Sequence, residues 1–292
     1  MRIAAYEEEG SLHFAAKRSD GWRRIENVGT FADLARIWAS GHTPQLWANA
    51  VTIADARLVP PVGYPVRHIF CVGWNYLKHF EEGRSRRSAA APAKIPSTPT
   101  FFSKATTALV RPYSSILAHE QTTSLLDWEV ELAVVIGRTG TNIPEASALD
   151  HVFGYCVAND VSARDLQKQH GGQWFKGKSL DRTCPLGPHL VTADEVPEPQ
   201  QLELECRVNG VVKQHASTRQ MAFPVRRIIA ELSRGLTLLP GDIILTGTPE
   251  GIGAARVPQE RLRPGDVLES EITGIGLMRN PIVAKPSAEG GT

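Results

Sequence analysis

Two glutamates, Glu129 and Glu131 in DWEVELAVVIG, have a spacing that suggests chemistry. On a strand, residues two apart share a face, so both carboxylates point one way while Trp128, Val130, Leu132 and Val134 point the other. Like charges side by side in a half-buried strand are costly unless a cation neutralises them. E-x-E alone equally describes a strand whose polar end meets solvent, but the apolar continuation AVVIG favours a strand that runs into a core. A third carboxylate, Asp160, stands where VFGYCVAND meets SARDLQ, either as a strand-end ligand or as the N-cap of a helix. Counted from Asp160, Arg164 and Gln167 fall at i+4 and i+7 on one helical face. Carboxylates select a hard cation, Mg²⁺ first and Mn²⁺ or Ca²⁺ next. Arg and Gln beside such a cation make a receptor for an oxo-acid.

A second group lies in GWNYLKHFEE, Gly73 to Glu82. With Asn75 as cap of a short helix, His79 and Glu82 sit three apart on one face. Glu82 then fixes the tautomer of His79 and raises its basicity, leaving the other ring nitrogen to take a proton from water. The same spacing also describes an exposed helical pair worth a few tenths of a kcal/mol. Lys178 in FKGKSLD is a candidate charge-stabiliser or a solvated surface lysine. LTGTPEGIG, Leu245 to Gly253, offers backbone N–H groups and the Thr248 hydroxyl to a carboxylate, or is a plain turn. It lacks the Gly-Lys-Ser/Thr of a phosphate loop and the G-x-G-x-x-G fingerprint, which argues against a nucleotide.

The elements that must position these groups are mostly short strands. VRHIFCVG, WEVELAVVIG, HVFGYCVAND, LELECRVNGVV, DIILTGT and DVLESEI alternate with turn signals, and Asn209-Gly210 marks a hairpin. Helices are few: the stretch after Gly73, SARDLQ, and FPVRRIIAELSRG with Gly235 as its C-cap. The pattern predicts an α+β, mainly β fold and disfavours a doubly wound sheet. Residues 1–65 form a small N-terminal unit and linker, with strands RIAAY and LHFAA and a helix over Phe31 to Trp47. The catalytic domain then spans 66–285, with a tail at 286–292. GRSRRSAAAPAKIPSTP, Gly83 to Pro99, is either a loop that orders over a ligand or a surface insertion.

The chain has 292 residues and a net charge of +1, which gives no footing for nucleic-acid binding. No run approaches the roughly 18 apolar residues of a membrane span. MRIAAYEEEG carries no leader pattern, so a cytoplasmic protein is expected. The four cysteines form no C-x-x-C pair, which excludes the usual zinc and thioredoxin-type spacings.

Taken in order, G-W-N-Y-x-x-H-x-x-E, F-F-S-K (Phe101 to Lys104), D-W-E-V-E-L, N-D-V-S-A-R-D-L-Q, K-S-L-D (Lys178 to Asp181) and L-T-G-T-P-x-G resemble the fumarylacetoacetate hydrolase family. The resemblance covers about Val66 to Val283. It implies a mixed β-roll catalytic domain, a homodimer and one divalent cation on Glu129, Glu131 and Asp160. It assigns His79 and Glu82 to water activation and Lys178 to the metal's side. It places Lys104, Arg164, Gln167, Gly247 and Thr248 against the substrate. The expected reaction is C–C hydrolysis of an acylpyruvate-type diketo acid. The alternatives are isomerisation of an unsaturated 2-oxo diacid or decarboxylation of oxaloacetate, in aromatic catabolism. A metabolite-binding module without turnover has no need of the dyad.

Overall fold

The computed structural model describes residues 1–64, 66–84 and 92–284. Most of the basic segment after Arg84 and the 286–292 tail lie outside the described residues.

β1 (Arg2–Glu8) and β2 (Ser11–Arg18) are joined through Glu9-Gly10, both at positive φ, a turn whose twist suits an antiparallel pair. β3 (Gly21–Arg24) and α1 (Phe31–Ala39) follow. Thr30 and Asp33 cap α1 reciprocally, each side chain taking the other's backbone N–H. The helix expected to reach Trp47 stops at Ala39, where Gly41 turns left-handed at φ 75°. The chain continues through β4 (Leu58–Val59), β5 (Ile69–Gly73), α2 (Leu77–Glu82), β6 (Thr100–Lys104), β7 (Leu109–Val110) and β8 (Ile116–Leu117). Next come β9 (Leu126–Asp127), β10 (Val130–Ile136), β11 (Val152–Asn159), β12 (Ser162–Ala163), α3 (Arg164–Gln169) and α4 (Phe175–Lys178). The last elements are β13 (Cys184–Thr192), β14 (Glu203–Val208), β15 (Val211–Ser217), α5 (Val225–Leu232), β16 (Ile243–Leu245), β17 (Val267–Ile272) and β18 (Gly276–Val283). α5 ends at Leu232 with Ser233 as its cap, two residues short of the expected Gly235.

The large sheet has the order β3-β2-β1-β13-β11-β10-β16-β5-β6, with β4 on β1 and β7 on β13. Its pairs are antiparallel except β16–β5 and β13–β7. A second sheet, β15-β14-β17-β18-β8, packs across it. The fold is α+β and mainly β, as the strand pattern predicts. Asn209 and Gly210, at φ 54° and 75°, make the β14–β15 turn.

β10 lies between two apolar cores. Trp128, Val130, Leu132 and Val134 pack with Leu204, Cys206, Leu268 and Ile272 of the second sheet. Ala133 and Val135 face the other way, among Phe14, Ile69, Leu190 and Leu245. Burial on both faces accounts for the unbroken apolar run of AVVI. Full burial of one such Val or Leu stabilises the fold by about 1.5–3 kcal/mol. The N-terminal strands enter the same sheet, with Arg2 opposite Val191 and Ile3 opposite Leu190. All four cysteines are free and buried. No helix among the described residues is long and apolar enough to cross a membrane.

Candidate active site

β10 starts at the rim of the large sheet where β11, β16 and β5 end. That convergence brings together segments distant in sequence: Asp127–Glu131, Asn159–Asp160, Thr246–Thr248 and Gly73–His79. Glu129, Glu131 and Asp160 are buried there, with one carboxylate oxygen of each within 4.8 Å of the others. The strand-face reading of E-x-E therefore holds, with Glu129 one residue before β10 begins.

Asp160 does not cap the helix. α3 starts only at Arg164, with Ala163 at the cap position. Asp160 instead accepts from two buried ammoniums, Lys104 at Oδ1 (2.6 Å) and Lys178 at Oδ2 (2.7 Å). Lys178 also reaches Glu129 Oε2 at 2.7 Å. Arg164 is placed from the first turn of α3. Its Nε donates to Asp127 Oδ2 (2.8 Å), its Nη1 meets Glu129 Oε1 (2.6 Å) and Gln167 Oε1 (3.2 Å), and its buried Nη2 has no hydrogen-bond partner among the described residues.

Burial alone disfavours a charged Glu129, but the Lys178 ammonium and Arg164 guanidinium overcome it and hold its pKa down to about 2. Glu131 goes the other way: burial, then the Asp160 and Glu129 carboxylates, push its pKa well up. Glu131 has no ion pair among the described residues and accepts only the Gly247 N–H, at 2.6 Å. The cluster thus holds four carboxylates, with Asp127, against three cations, Lys104, Arg164 and Lys178. An all-oxygen donor set in which one carboxylate, Glu131, has no ion pair among the described residues fits a divalent cation.

Glu129 and Glu131 of the triad open on a cavity of about 1020 Å³. Its polar end is lined by His79, Glu129, Glu131, Arg164, Gln167, Lys178 and Thr248, its apolar wall by Trp74, Phe101, Phe102, Leu125, Trp174 and Ile252. His79 Nδ1 is 2.8 Å from Glu82 Oε1, and Glu82 Oε2 accepts the Gly251 N–H at 2.8 Å. The dyad geometry is therefore built, but the cap expected of Asn75 is not. Tyr76 stands at the cap position of α2. The Asn75 side chain donates to Phe223 O and Thr246 O and accepts from Phe223 N, tying three loops behind the site.

Of the residues expected against substrate, Arg164, Gln167 and Thr248 line the cavity, whereas Lys104 and Gly247 do not. Lys104 is buried behind Asp160, and Gly247 turns its N–H to Glu131. The Thr248 hydroxyl donates to Val130 O and accepts from Gln214 Nε2, so its proton is already engaged. Three supporting residues escaped the sequence reading. Asp127 accepts from Trp128, Gly253, Ala254 and Arg164. Asn159 accepts from Glu129 N, and Gln214 accepts from Val130 N. Asp127 stood inside a quoted motif; Gln214, on a hairpin far along the chain, left no signal.

The mainly β fold thus brings Glu129 and Glu131 of a buried acidic triad and His79 of a His–Glu pair to one cleft. Residues 68–283 match the family model described as the C-terminal part of fumarylacetoacetate (FAA) hydrolase. The chain is 43% identical over 245 residues, 84% of its length and 79% of the relative's, to oxaloacetate tautomerase YisK of Bacillus subtilis. Among solved structures it is similar to a fumarylacetoacetate hydrolase from psychrophilic Exiguobacterium antarcticum (36% identity, TM-score 0.81, covering 98% of this chain and 100% of that one). It is also similar to 2-hydroxyhepta-2,4-diene-1,7-dioate isomerase from Mycobacterium marinum (34% identity, TM-score 0.75, covering 98% and 100%). The chain belongs to the fumarylacetoacetate hydrolase family.

Proposed function

We propose that this protein is a tautomerase or isomerase of a small 2-oxo diacid of the oxaloacetate type, working with Mg²⁺ or Mn²⁺ on Glu129, Glu131 and Asp160. The observation that carries the reading is His79, paired with Glu82, lining the same cavity as Glu129 and Glu131 of the triad. The similarity to a tautomerase and an isomerase favours proton transfer over the C–C hydrolysis expected first. When bound, the cation supplies Lewis acidity at the 2-oxo group.

The protein's own groups do the rest. Arg164 Nη2, which has no partner among the described residues, donates to a substrate carboxylate, and Gln167 flanks it. His79, held through Nδ1, uses Nε2 to take a proton from C3 of the keto form, and a proton returns to O2 to give the enol. Glu82 supports the charge on the ring while it holds that proton. Lys178 uses two N–H groups on Glu129 and Asp160 and offers the third to the oxygen where charge develops. No water is consumed and no carbon–carbon bond breaks. Hydrolysis is the second reading, favoured by the same dyad, because His79 would equally activate a water.

The test follows the enol absorbance of oxaloacetate with Mg²⁺ and then with excess EDTA. Cation-dependent loss of the enol without pyruvate or CO₂ is expected, and His79→Ala should lower kcat by about 10²–10⁴-fold. Pyruvate and an acid formed from an acylpyruvate, with no effect on the enol, would return the assignment to hydrolase. CO₂ release would make it a decarboxylase. A homodimer is part of the proposal, checked by light scattering.

A further inference from the structure

Trp174 has no part in the chemistry above, yet its placement is unusually constrained. Its indole lies over Gly73, where a Cβ would come within 2.4 Å of the ring. Trp74 meets it edge-on, with centroids 4.8 Å apart at 84°, and Phe102 closes the other side at 5.2 Å and 73°. Trp74 itself sits at φ 55°, a left-handed conformation rare for a bulky residue. Trp174 is also the cap residue of α4, and its carbonyl accepts the Lys178 N–H at 3.0 Å. The other contacts of α4 are as tight. A Cβ on Gly177 would lie 2.6 Å from the Gln167 backbone N, and the Lys178 ammonium stands 5.2 Å over the Phe102 ring.

A one-turn helix of four residues does not hold itself together, because so few hydrogen bonds do not offset its ordering entropy. The loop leading into it contains Gly171 and Gly172, both at positive φ, and gives it no stiffness. Something outside the turn must therefore fix the lysine. We propose that Trp174 is a positioning residue for Lys178: its indole, seated in the notch of Gly73 between Trp74 and Phe102, holds the turn that delivers the ammonium to Glu129 and Asp160. The same socket joins the Lys178 turn to the Gly73–His79 segment, so the two groups proposed to handle charge and proton share one anchor. The inference extends the proposed site but does not need turnover to be tested.

The test is reductive methylation of the metal-free full chain, read at each lysine by peptide mass spectrometry. Lys178 and Lys104 are both buried in the wild type and should label slowly. Gly73→Ala expels the ring without altering it, Trp174→Ala removes it, and Trp174→Phe is a milder change should the alanine variant not fold. All three should speed labelling of Lys178, by about tenfold or more for the first two, through local opening of the turn. Lys104, held behind Asp160 from β6, should stay protected. Protection of Lys178 retained in folded Gly73→Ala and Trp174→Phe would overturn the proposal. Lys104 and Lys178 labelling together would also overturn it, since that reports general loosening. Neither outcome bears on the reaction assignment, which the enol assay decides separately.

Discussion

Glu129 and Glu131 are two residues apart and carry opposite shifts, because Glu129 pairs with Lys178 and Arg164 whereas Glu131 has no ion pair among the described residues. Their signs in pH-dependent stability are therefore opposite. Glu129, held at about 2, adds stability above its ordinary 4.5 that is lost as pH falls toward 2. Glu131, raised on folding, favours the fold fully below 4.5 and loses that contribution as pH rises toward its folded value. Near neutral pH Glu131 thus weighs against the metal-free fold, because folding resists its ionised form. Metal-free Glu131→Gln should melt higher than wild type near neutral pH, with the gap closing at or below 4.5. Excess Mg²⁺ should reverse the order, since a ligand at 100 times its Kd adds about 2.7 kcal/mol, and the variant lacks one ligand. Thermal melts across pH, with and without Mg²⁺, check both halves. A variant that gains as much from Mg²⁺ as wild type would remove Glu131 from the cation site.

At the scale of elements, short-range pattern was legible and long-range support was not. E-x-E announced a shared face because the strand period is fixed by backbone geometry. The His79–Glu82 pair followed from helical spacing in the same way. Asn75 was misread because an Asn before a helix usually caps it, and nothing local says that Phe223 and Thr246 lie against it. Its three hydrogen bonds span 148 and 171 residues of sequence. Asp160 was misread as a possible cap for the related reason that β12 intervenes before α3. The long reach of Asn75 makes a prediction. Asn75→Ala strips partners from two buried carbonyls and one N–H, and at about 1 kcal/mol or more for each group should cost roughly 3 kcal/mol in urea unfolding. Because α2 and the Gly247 loop are both tied to it, His79 and the donor to Glu131 should lose their placement together, so kcat and Mg²⁺ affinity should fall in the same variant. A stable Asn75→Ala protein with unchanged cation binding would show that the loops hold their places without it.

At the scale of the molecule, the first 65 residues look like an appendage in sequence, set off by the prolines of ARLVPPVGYPV. The sheet does not stop there. Ile3, Phe14, Phe31 and Leu34 share one apolar core with Ile69, Ala133, Phe153 and Leu190, and Phe31 meets Phe153 edge-on at 5.0 Å. Removing them uncovers the back of β10, the strand that positions both glutamates, and strips β13 of its neighbour β1. Each of the four side chains accounts for about 1.5–3 kcal/mol of burial, together comparable to the 5–15 kcal/mol by which a whole domain is stable. A chain trimmed to residues 66–292 should therefore aggregate or melt without a cooperative transition, while the full chain unfolds in a single step by calorimetry. If the trimmed chain instead folds and still binds Mg²⁺, the N-terminal strands are a separable cover. The rim that gathers Glu129, Glu131, Asp160 and His79 would then be held by the β11, β10, β16 and β5 pairing and the second sheet alone.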